Sequence, residues 1–347
     1  MPWAKIKPEP GNIDCSTESA ECGRRISYPE AIREAFATAL EIDPKVFLMG
    51  QGVDDHTGYF GASLGLRERF GRERVFDTPL SETALTGVAT GAAIGGMRPV
   101  YLHNRPDFLL LAMDQLVNHA AKWHYMFGGA VNVPLVVWAC IGRGWGGAAQ
   151  HSQALQGLFL HVPGLKLVMP STCYDTKGLI LSAIADPNPV LIIEHRFNFK
   201  QHGFVPEEPY RVPIGKGIVR RAGKDITIAA ISHSATEAVR AAEQLAAQGI
   251  EAEVIDLRTL RPLDERMLLD SIAKTGRLIV ADTGWKTGGA TAEIAAVAVE
   301  KGFHFLKAPV RRIATADVPT PSGFTLEQGF YTGAPEIIAA AVELLGK

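Results

Sequence analysis

The sequence predicts a protein of the α/β class, built from two three-layer α/β/α domains. Helical patterns alternate with short apolar runs along the chain, which indicates parallel strands covered by helices on both faces. Loops rich in glycine and polar residues follow several of these runs, where open α/β sheets keep their ligand sites. A length of 347 residues is sufficient for two such domains and a sizeable core.

The alternation of helices and strands begins near Ser27. Further along the chain, Ser81 is a candidate N-cap for the helix that starts directly after Ser81. The predicted strands are Val46–Met49, Arg74–Phe76, Pro99–Leu102, Leu135–Cys140, Leu165–Met169 and Val190–Glu194. The predicted helices are Tyr28–Leu40, one that starts after Ser81, Phe108–Met126 and Tyr174–Ala185.

A change of composition divides the chain. Residues 196–211 are polar and contain proline, without a clear period, so we place an interdomain linker at residues 201–212. The first domain is then 26–200 and the second is 213–347, after a polar arm at 1–25 for which we predict no role. The second domain should contain strands Ile226–Ile231, Ala252–Asp256, Leu278–Ala281 and Val310–Ile313, and helices Ala235–Gln248, Glu265–Lys274 and Gly289–Val299.

Composition excludes several classes of partner. The 35 basic and 37 acidic residues give a net charge of −2, which offers no electrostatic case for nucleic acid or a membrane surface. No apolar run reaches the roughly 18 residues that a membrane span needs. The four cysteines, Cys15, Cys22, Cys140 and Cys173, have no C-x-x-C spacing, so we expect a reducing, cytoplasmic setting.

The stretch Asp77–Gly96 contains one carboxylate, Glu82, in the first turn of a predicted helix. An acid at this position complements the helix dipole, so a structural role and a catalytic role both remain open. Glycines recur at every fourth residue of the same helix, at Gly87, Gly91 and Gly95. They line one helix face without side chains, which favours a close approach of another backbone.

The most glycine-dense loop follows the strand Leu135–Cys140. Gly142, Gly144 and Gly147 satisfy the G-x-G-x-x-G pattern of dinucleotide-binding proteins, but the next strand ends in Met-Pro-Ser without the acid that binds ribose. His151 stands directly after this loop, either as a hydrogen-bonded loop histidine or as a proton donor at a strand's carboxyl end. The residues alone therefore indicate a site near residues 50, 82, 104 and 151.

Six sequence runs, in fixed order, resemble the β subunit of thiamine-diphosphate-dependent 2-oxo acid dehydrogenases of the pyruvate, acetoin and branched-chain type. The runs are DTPLSE, AMDQLVNHAAKWHYMFGG, AAQHSQ, HVPGLKLVMPS, ADPNPV and DLRTLRPLD. The resemblance extends from about Ser27 to the end of the chain. It implies a transketolase-like architecture, with a pyrimidine-binding domain followed by a transketolase-type C-terminal domain.

The resemblance also implies roles for single residues. Glu82 matches the glutamate that hydrogen-bonds the aminopyrimidine ring of the cofactor and so promotes loss of the thiazolium proton. Phe108 matches the aromatic residue that packs on the aminopyrimidine face, and Leu80 a backbone contact beside it. His151 is similar to the histidine that handles protons at the substrate carbonyl or the acyl intermediate.

Four further positions match a structural site for a monovalent cation such as K⁺, bound mainly through backbone oxygens. They are Leu135, Ala183, Asp186 and Asn188. The three glycines 87, 91 and 95 fall where family members pack helix against helix between subunits.

The family's diphosphate site is a G-D-G followed by an asparagine, which holds Mg²⁺, and this chain contains no G-D-G. The chain is therefore expected to bind only the pyrimidine half of thiamine diphosphate. We expect an α subunit to supply the Mg²⁺ and diphosphate half in an α2β2 heterotetramer that is inactive without it. The activity implied is decarboxylation of a 2-oxo acid and transfer of its acyl group, with a lipoyl acyltransferase as a further partner.

Two departures from the family pattern concern the substrate. Gln51 replaces an acid associated with proton communication between active sites, and the polar run Leu102–Asp107 replaces an apolar one. His103, Asn104 and Arg105 could bind hydroxyls, a phosphate or a carboxylate. A second hypothesis is therefore a split transketolase-like or acyl-transferring carboligase that acts on a sugar or another polar acceptor. A third, a non-catalytic β-like scaffold, is disfavoured because both Glu82 and His151 are present.

Overall fold

The computed structural model describes residues 2–9, 23–142 and 146–346. Contacts between residues divide the chain into two compact units. The first consists of Met1–Ile141 and Phe159–Ile214, and the second of Gly142–Leu158 and Gly215–Lys347. Both are α/β units with mainly parallel sheets, which confirms the predicted fold class. The segment 142–158, which follows the predicted strand Leu135–Cys140, belongs by its contacts to the second unit.

The described part of the first unit contains a sheet of parallel strands. They are β1 (Val46–Gly50), β2 (Val75–Asp77), β3 (Arg98–His103), β4 (Val136–Ile141), β5 (Lys166–Val168) and β6 (Val190–His195). Their order across the sheet is β5-β6-β4-β3-β1-β2. β4 and β6 are buried along their whole length, as expected for strands covered on both faces.

The helices of this unit cover the sheet. They are α1 (Tyr28–Ile42), α2 (Leu66–Phe70), α3 (Glu82–Ile94), α4 (Pro106–Leu109), α5 (Trp123–Met126) and α7 (Cys173–Ala185), while α6 (Gln156–Leu160) crosses the boundary between the units. A capping box fixes the start of α1, because Ser27 Oγ accepts from the Glu30 backbone and the Glu30 carboxylate accepts from Ser27. α1 buries Ile32, Phe36 and Leu40 in the core.

The predicted helix Phe108–Met126 is not continuous. After α4 the chain forms a 3₁₀ turn at Leu110–Ala112, then a π-helical segment at Asp114–Ala120, and then α5. The Ala121 backbone N–H donates to the Leu116 carbonyl, which is the five-residue spacing of a π-helix. Apolar periodicity over so few residues does not separate these windings from an α-helix.

Parts of the predicted arm and linker pair with the rest of the first unit. Trp3 is buried and its Nε1 donates to Asp43 Oδ2 at 2.8 Å. Two short pairings follow: Lys7–Pro8 runs parallel to Tyr210–Arg211, and Arg25–Ser27 runs antiparallel to His202–Phe204. Residues 10–22 of the arm, with Cys15 and Cys22, lie outside the described residues, whereas Cys140 and Cys173 are buried free thiols.

The second unit has a five-stranded sheet. Its strands are β7 (Ile218–Arg221), β8 (Ile226–Ala230), β9 (Ala252–Asp256), β10 (Leu278–Trp285) and β11 (Arg311–Thr315), in the order β7-β9-β8-β10-β11. β7 is antiparallel to β9 and the other pairs are parallel. The helices are α8 (His233–Ala246), α9 (Glu265–Thr275), α10 (Ala290–Gly302), α11 (Phe324–Gln328) and α12 (Ala334–Leu345), with a further short strand at Thr259–Arg261.

The second unit contains the predicted elements with small shifts at their ends. Four elements were not predicted: strand β7, the short strand Thr259–Arg261, and helices α11 and α12. Of these, α12 packs Ile337 and Ala341 into the core of this unit. Across the described ranges, every helix is too short or too polar to cross a membrane.

Candidate active site

The carboxyl ends of β1, β2 and β3 lie side by side and carry the first group of predicted residues. Gly50 pairs with Asp77 on one side and with Leu102 on the other. The Thr78 backbone N–H donates to the Gly50 carbonyl, and the Val53 N–H donates to Asp77 Oδ1 at 3.2 Å. These contacts fix the loop that carries half-buried Gln51 against the turn that precedes α3.

Glu82 is the first residue of α3 and is half-buried. Ser81 is the N-cap residue, but its side chain makes no capping hydrogen bond, so the predicted side-chain cap is wrong. Its φ of −162° and ψ of 65° differ from the usual extended N-cap conformation. Among the described residues, the Glu82 carboxylate has no hydrogen-bond or ion-pair partner, so it is available for a ligand.

Two rings on β3 lie close to Glu82. Tyr101 and His103 point to the same face of the strand, with ring centroids 5.2 Å apart. Burial and the nearby Glu82 charge raise the pKa of Tyr101 to about 12. Burial lowers the pKa of His103 to about 4, against the opposing influence of Glu82. The histidine is therefore neutral at pH 7 and does not compensate the Glu82 charge.

The tautomer of His103 follows from its surroundings. Its Nδ1 lies 3.3 Å from the Arg105 carbonyl oxygen, which places the proton on Nδ1. Its Nε2 is then an acceptor, and this atom is buried without a hydrogen-bond partner in the described ranges. Asn104 contributes a backbone carbonyl that accepts from the Tyr59 hydroxyl at 2.6 Å.

A second polar group lies at the carboxyl ends of β3, β4 and β6. Arg105 is buried at the N-cap of α4, and Arg196 follows β6 with its guanidinium 3.5 Å from the centre of the Phe60 ring. Burial lowers the pKa of Arg196, and the charge of Arg105 lowers it further, so the two guanidinium groups are close enough for their charges to interact. Sequence reasoning named Arg105 but missed Arg196, whose signal was its position directly after a buried strand.

The two remaining residues of the predicted pyrimidine site lie near α3 and α4. Phe108 is in α4 and is half-buried, and Leu80 precedes α3 with 80% of its side chain exposed. The glycine face of α3 is open at Gly91, where an added Cβ would meet nothing within 4 Å, while a Cβ at Gly87 would lie 3.4 Å from Gln115 Oε1.

The residues of the predicted cation site come together in the first unit. The Leu135 carbonyl accepts from the Val190 N–H, and the Ala183 carbonyl accepts from the Asp186 N–H. The Asp186 carboxylate accepts from Lys166 Nζ at 2.8 Å and from the Asn188 N–H at 2.9 Å. Asn188 Oδ1 is buried and has no hydrogen-bond partner among the described residues.

His151 lies in the segment that belongs to the second unit. It follows a 3₁₀ turn at Ala148–Gln150 and its side chain is exposed. Of the glycine pattern, Gly144 lies outside the described residues. This segment is connected to the rest of the second unit by a hydrogen bond between Gln156 and Asp282. Sequence reasoning missed this contact because the two residues are 126 positions apart in the chain.

Comparisons with known proteins cover both units. The family described as "Transketolase, pyrimidine binding domain" matches residues 24–201, and "Transketolase, C-terminal domain" matches residues 215–337. The acetoin:2,6-dichlorophenolindophenol oxidoreductase subunit beta of Bacillus subtilis is 42% identical, over 93% of this chain and 98% of that protein. The 2-oxoisovalerate dehydrogenase subunit beta of the same organism is 41% identical, over 92% and 98%.

A more distant relative and a solved structure agree with these matches. The pyruvate dehydrogenase E1 component subunit beta of Rhizobium meliloti is 39% identical, over 97% of this chain and 72% of that protein. A solved structure described as a split gene transketolase, an inactive β4 tetramer, matches with a TM-score of 0.75 and 25% identity. That match covers 92% of this chain and 98% of the other.

Proposed function

The chain belongs to the family of β subunits of thiamine-diphosphate-dependent 2-oxo acid dehydrogenases, and we propose from this that it supplies the pyrimidine half of a two-subunit active site. The reaction is decarboxylation of a 2-oxo acid, followed by transfer of the acyl group. Glu82 carries the proposal, because it is a half-buried carboxylate without a partner among the described residues at the carboxyl edge of a parallel sheet.

The residues around Glu82 fit the pyrimidine end of the cofactor. Glu82 would hold a proton on the aminopyrimidine ring nitrogen, Phe108 would pack on the ring, and Leu80 would offer a backbone contact. When bound, thiamine diphosphate supplies the nucleophilic carbon and the electron sink that decarboxylation needs. The rings of Tyr101 and His103 beside Glu82 are both neutral at pH 7, because burial raises the pKa of Tyr101 to about 12 and lowers the pKa of His103 to about 4.

His151 is proposed as the residue that exchanges a proton at the substrate carbonyl oxygen. Its exposed imidazole is accessible to a ligand, and its ring nitrogens are groups through which a side chain can exchange a proton with a bound substrate.

The test uses the chain reconstituted with its α subunit and follows 2-oxo acid-dependent reduction of an artificial electron acceptor. Glu82→Gln removes the proton contact but keeps the size of the side chain, and we expect the rate to fall by about a thousandfold. Glu73→Gln, at an exposed carboxylate, serves as the matched control and should retain full activity. Full activity of Glu82→Gln would refute the catalytic role and favour a scaffold subunit.

A second function, an acyl-transferring carboligase, is favoured by the polar run after β3. His103 offers a neutral acceptor and Arg105 a guanidinium near that of Arg196, a set suited to a hydroxylated or anionic acceptor molecule. The same reconstituted pair distinguishes the two functions. Carbon–carbon transfer to an aldose, without reduction of the electron acceptor, would identify the carboligase.

The cation site is also proposed, with K⁺ as the ion. The buried, unpartnered Asn188 Oδ1 fits an oxygen ligand, and the carbonyls of Leu135 and Ala183 each retain a second lone pair. The Asp186 side chain already binds Lys166 and its backbone oxygen accepts from Arg98 Nη1 at 3.1 Å, so Asp186 would contribute only the second lone pair of that backbone oxygen.

The finer points of assembly remain proposals. We infer an α2β2 heterotetramer in which the α subunit binds Mg²⁺ and the diphosphate, since this sequence contains no G-D-G. A lipoyl acyltransferase is the proposed acceptor partner and the cytoplasm the proposed location. The domain boundaries proposed from the sequence are 26–200 and 213–347.

A further inference from the structure

The segment that carries His151 is attached at several points to one strand of the second unit, β10. We propose that Asp282 is a positioning residue for His151, which acts through Gln156 and fixes the segment 152–156 on β10. This inference rests on the proposed role of His151 in the reaction.

The first attachment is a side-chain pair that is fully removed from solvent. Gln156 Nε2 donates to both carboxylate oxygens of Asp282, at 2.9 and 2.8 Å, and the exposed fractions of the two residues are 0% and 1%. The backbone N–H groups of Thr283 and Gly284 also donate to this carboxylate. A buried carboxylate with three donors holds the first residue of α6 at a defined place on β10.

The chain leaves no room around this pair. A Cβ at Gly284 would lie 2.8 Å from Asp282 Oδ2 and 2.9 Å from Gln156 Nε2. A Cβ at Gly157 would lie 3.1 Å from the Gly288 carbonyl oxygen. Glycine at both positions therefore lets the segment after Gln156 lie close to β10 and the loop that follows it.

A small cavity lies between the segment and β10, and Ser152, the residue after His151, lines it. Its lining residues are Ser152, Ala154, Thr283, Trp285, Thr315, Thr320, Phe330 and Tyr331. The hydroxyls of Ser152 and Thr283 are buried and have no hydrogen-bond partner within the described ranges. The volume open to the centre of a water molecule is about 10 Å³, which is room for about one water. A water there would join Ser152 to Thr283.

These attachments place His151 at the start of a fixed segment. Gln156 is held by Asp282 and Ser152 is buried at the cavity, while the His151 side chain itself is exposed. A residue that transfers a proton must lie within hydrogen-bond reach of the reacting atom, so loss of this support should reduce turnover more than substrate binding.

The experiment compares three variants in the reconstituted complex. Gln156→Leu removes the donor at similar volume, and the double variant Gln156→Glu with Asp282→Asn exchanges carboxylate and amide so that the pair can form again. Gln244→Leu changes an exposed glutamine in α8 and is the matched control. The readouts are kcat, KM for the 2-oxo acid, and amide hydrogen exchange in 148–158 and in β8 and β9.

For Gln156→Leu we expect kcat to fall by about tenfold or more, with KM within about twofold of wild type. Amide exchange should accelerate in 148–158 but not in β8 and β9. The double variant should recover kcat to within about threefold, and the control should match wild type.

Several results would overturn the proposal. They are unchanged exchange in 148–158, accelerated exchange with a wild-type kcat, or no recovery in the double variant. If Gln156→Leu does not fold, Asp282→Asn alone replaces it with the same readouts. Full activity of His151→Asn would refute the proposed role of His151, whereas hydrogen exchange would still test the attachment by itself.

Discussion

Glu194, the fifth residue of β6, is a fully buried carboxyl group with three donors around it. It accepts from the Tyr28 hydroxyl, from Thr176 Oγ1 at 2.6 Å and from Trp138 Nε1 at 3.4 Å. Burial raises the pKa of Glu194 to about 7, although the three hydrogen bonds act in the opposite direction. A carboxyl group whose folded pKa lies above its unfolded value stabilises the fold at low pH. Its contribution is complete below about pH 4.5 and is lost as the pH rises through about 7.

We predict that Glu194→Gln removes this part of the pH dependence. Between pH 5.5 and 8.5 the carboxyl group should account for a loss of about 2 kcal/mol in the free energy of unfolding of the wild type. Gln cannot titrate and retains an acceptor for Thr176 and Trp138. Urea unfolding of both proteins at the two pH values measures the difference.

The matched control is Glu207→Gln, at a side chain that is 80% exposed. It should leave the difference between the two pH values as in the wild type. An equal difference in Glu194→Gln and wild type would show that Glu194 titrates at an ordinary carboxyl pKa.

At the residue scale, sequence reasoning placed the polar residues but not their chemical states. It predicted His103 as a ligand for hydroxyls or anions, whereas its low pKa leaves the ring neutral. Its Nδ1 is occupied by the Arg105 carbonyl, so only an acceptor remains. The state of a histidine depends on burial and on a backbone turn, and neither can be derived from the neighbouring letters of the sequence.

At the scale of elements, α3 has an exposed face around Gly91 that no described residue of the chain covers. Gly91 is exposed, and a Cβ added there would meet nothing within 4 Å. Val88 in α3 is 59% exposed, and Leu80 just before the helix is 80% exposed. A glycine in a helix costs about 1 kcal/mol relative to alanine, so an open glycine face is unfavourable for the isolated chain. The predicted subunit contact at this face would account for it.

Substitution of Gly91 should therefore have opposite effects on the chain and on the assembly. We predict that Gly91→Ala stabilises the isolated chain by up to about 1 kcal/mol, because the helix gains propensity without a clash. Gly91→Leu should leave the chain folded but weaken assembly by about tenfold or more, because the side chain would obstruct a close helix contact. Urea unfolding and sedimentation of the mixed subunits provide the two measurements.

Gly91→Ala is the control for helix propensity. Because leucine and alanine are both good helix formers, Gly91→Leu differs from it mainly in the size of the side chain. Unchanged assembly in Gly91→Leu would exclude this face from the subunit contact.

Elements with a clear local sequence pattern were predicted well, whereas unusual helical windings and very short strands were not. α1 and β9 begin where predicted, because a capping box and a short β-branched run mark them. The prediction of one long helix after β3 was wrong, because a 3₁₀ turn and a π-helical segment replace most of it. Residues 201–212 were predicted as a linker, yet two short strands within them pair with the N-terminal part of the first unit. Strands of two or three residues that pair over a long distance in the chain leave no local sequence pattern from which they could be predicted.

At the scale of the whole molecule, the family match implies that one chain holds only part of a cofactor site. The residues suited to the pyrimidine ring, Glu82 and Phe108, are in the first unit, and the sequence has no G-D-G to hold Mg²⁺ against a diphosphate. The diphosphate carries most of the cofactor's charge, and its interaction with Mg²⁺ is stronger than a contact with one ring nitrogen. The binding free energy should therefore depend mainly on the partner.

We predict that the chain alone binds thiamine diphosphate at least about a hundredfold more weakly than the reconstituted pair, and without dependence on Mg²⁺. Titration calorimetry of the chain, the partner and the pair, each with Mg²⁺ and with a chelator, measures both points. Glu82→Gln in the pair should weaken binding much less than removal of Mg²⁺, because it affects only the ring contact. Tight, Mg²⁺-dependent binding by the chain alone would contradict the division of the cofactor between two subunits, since the metal ligands would then have to lie in this chain.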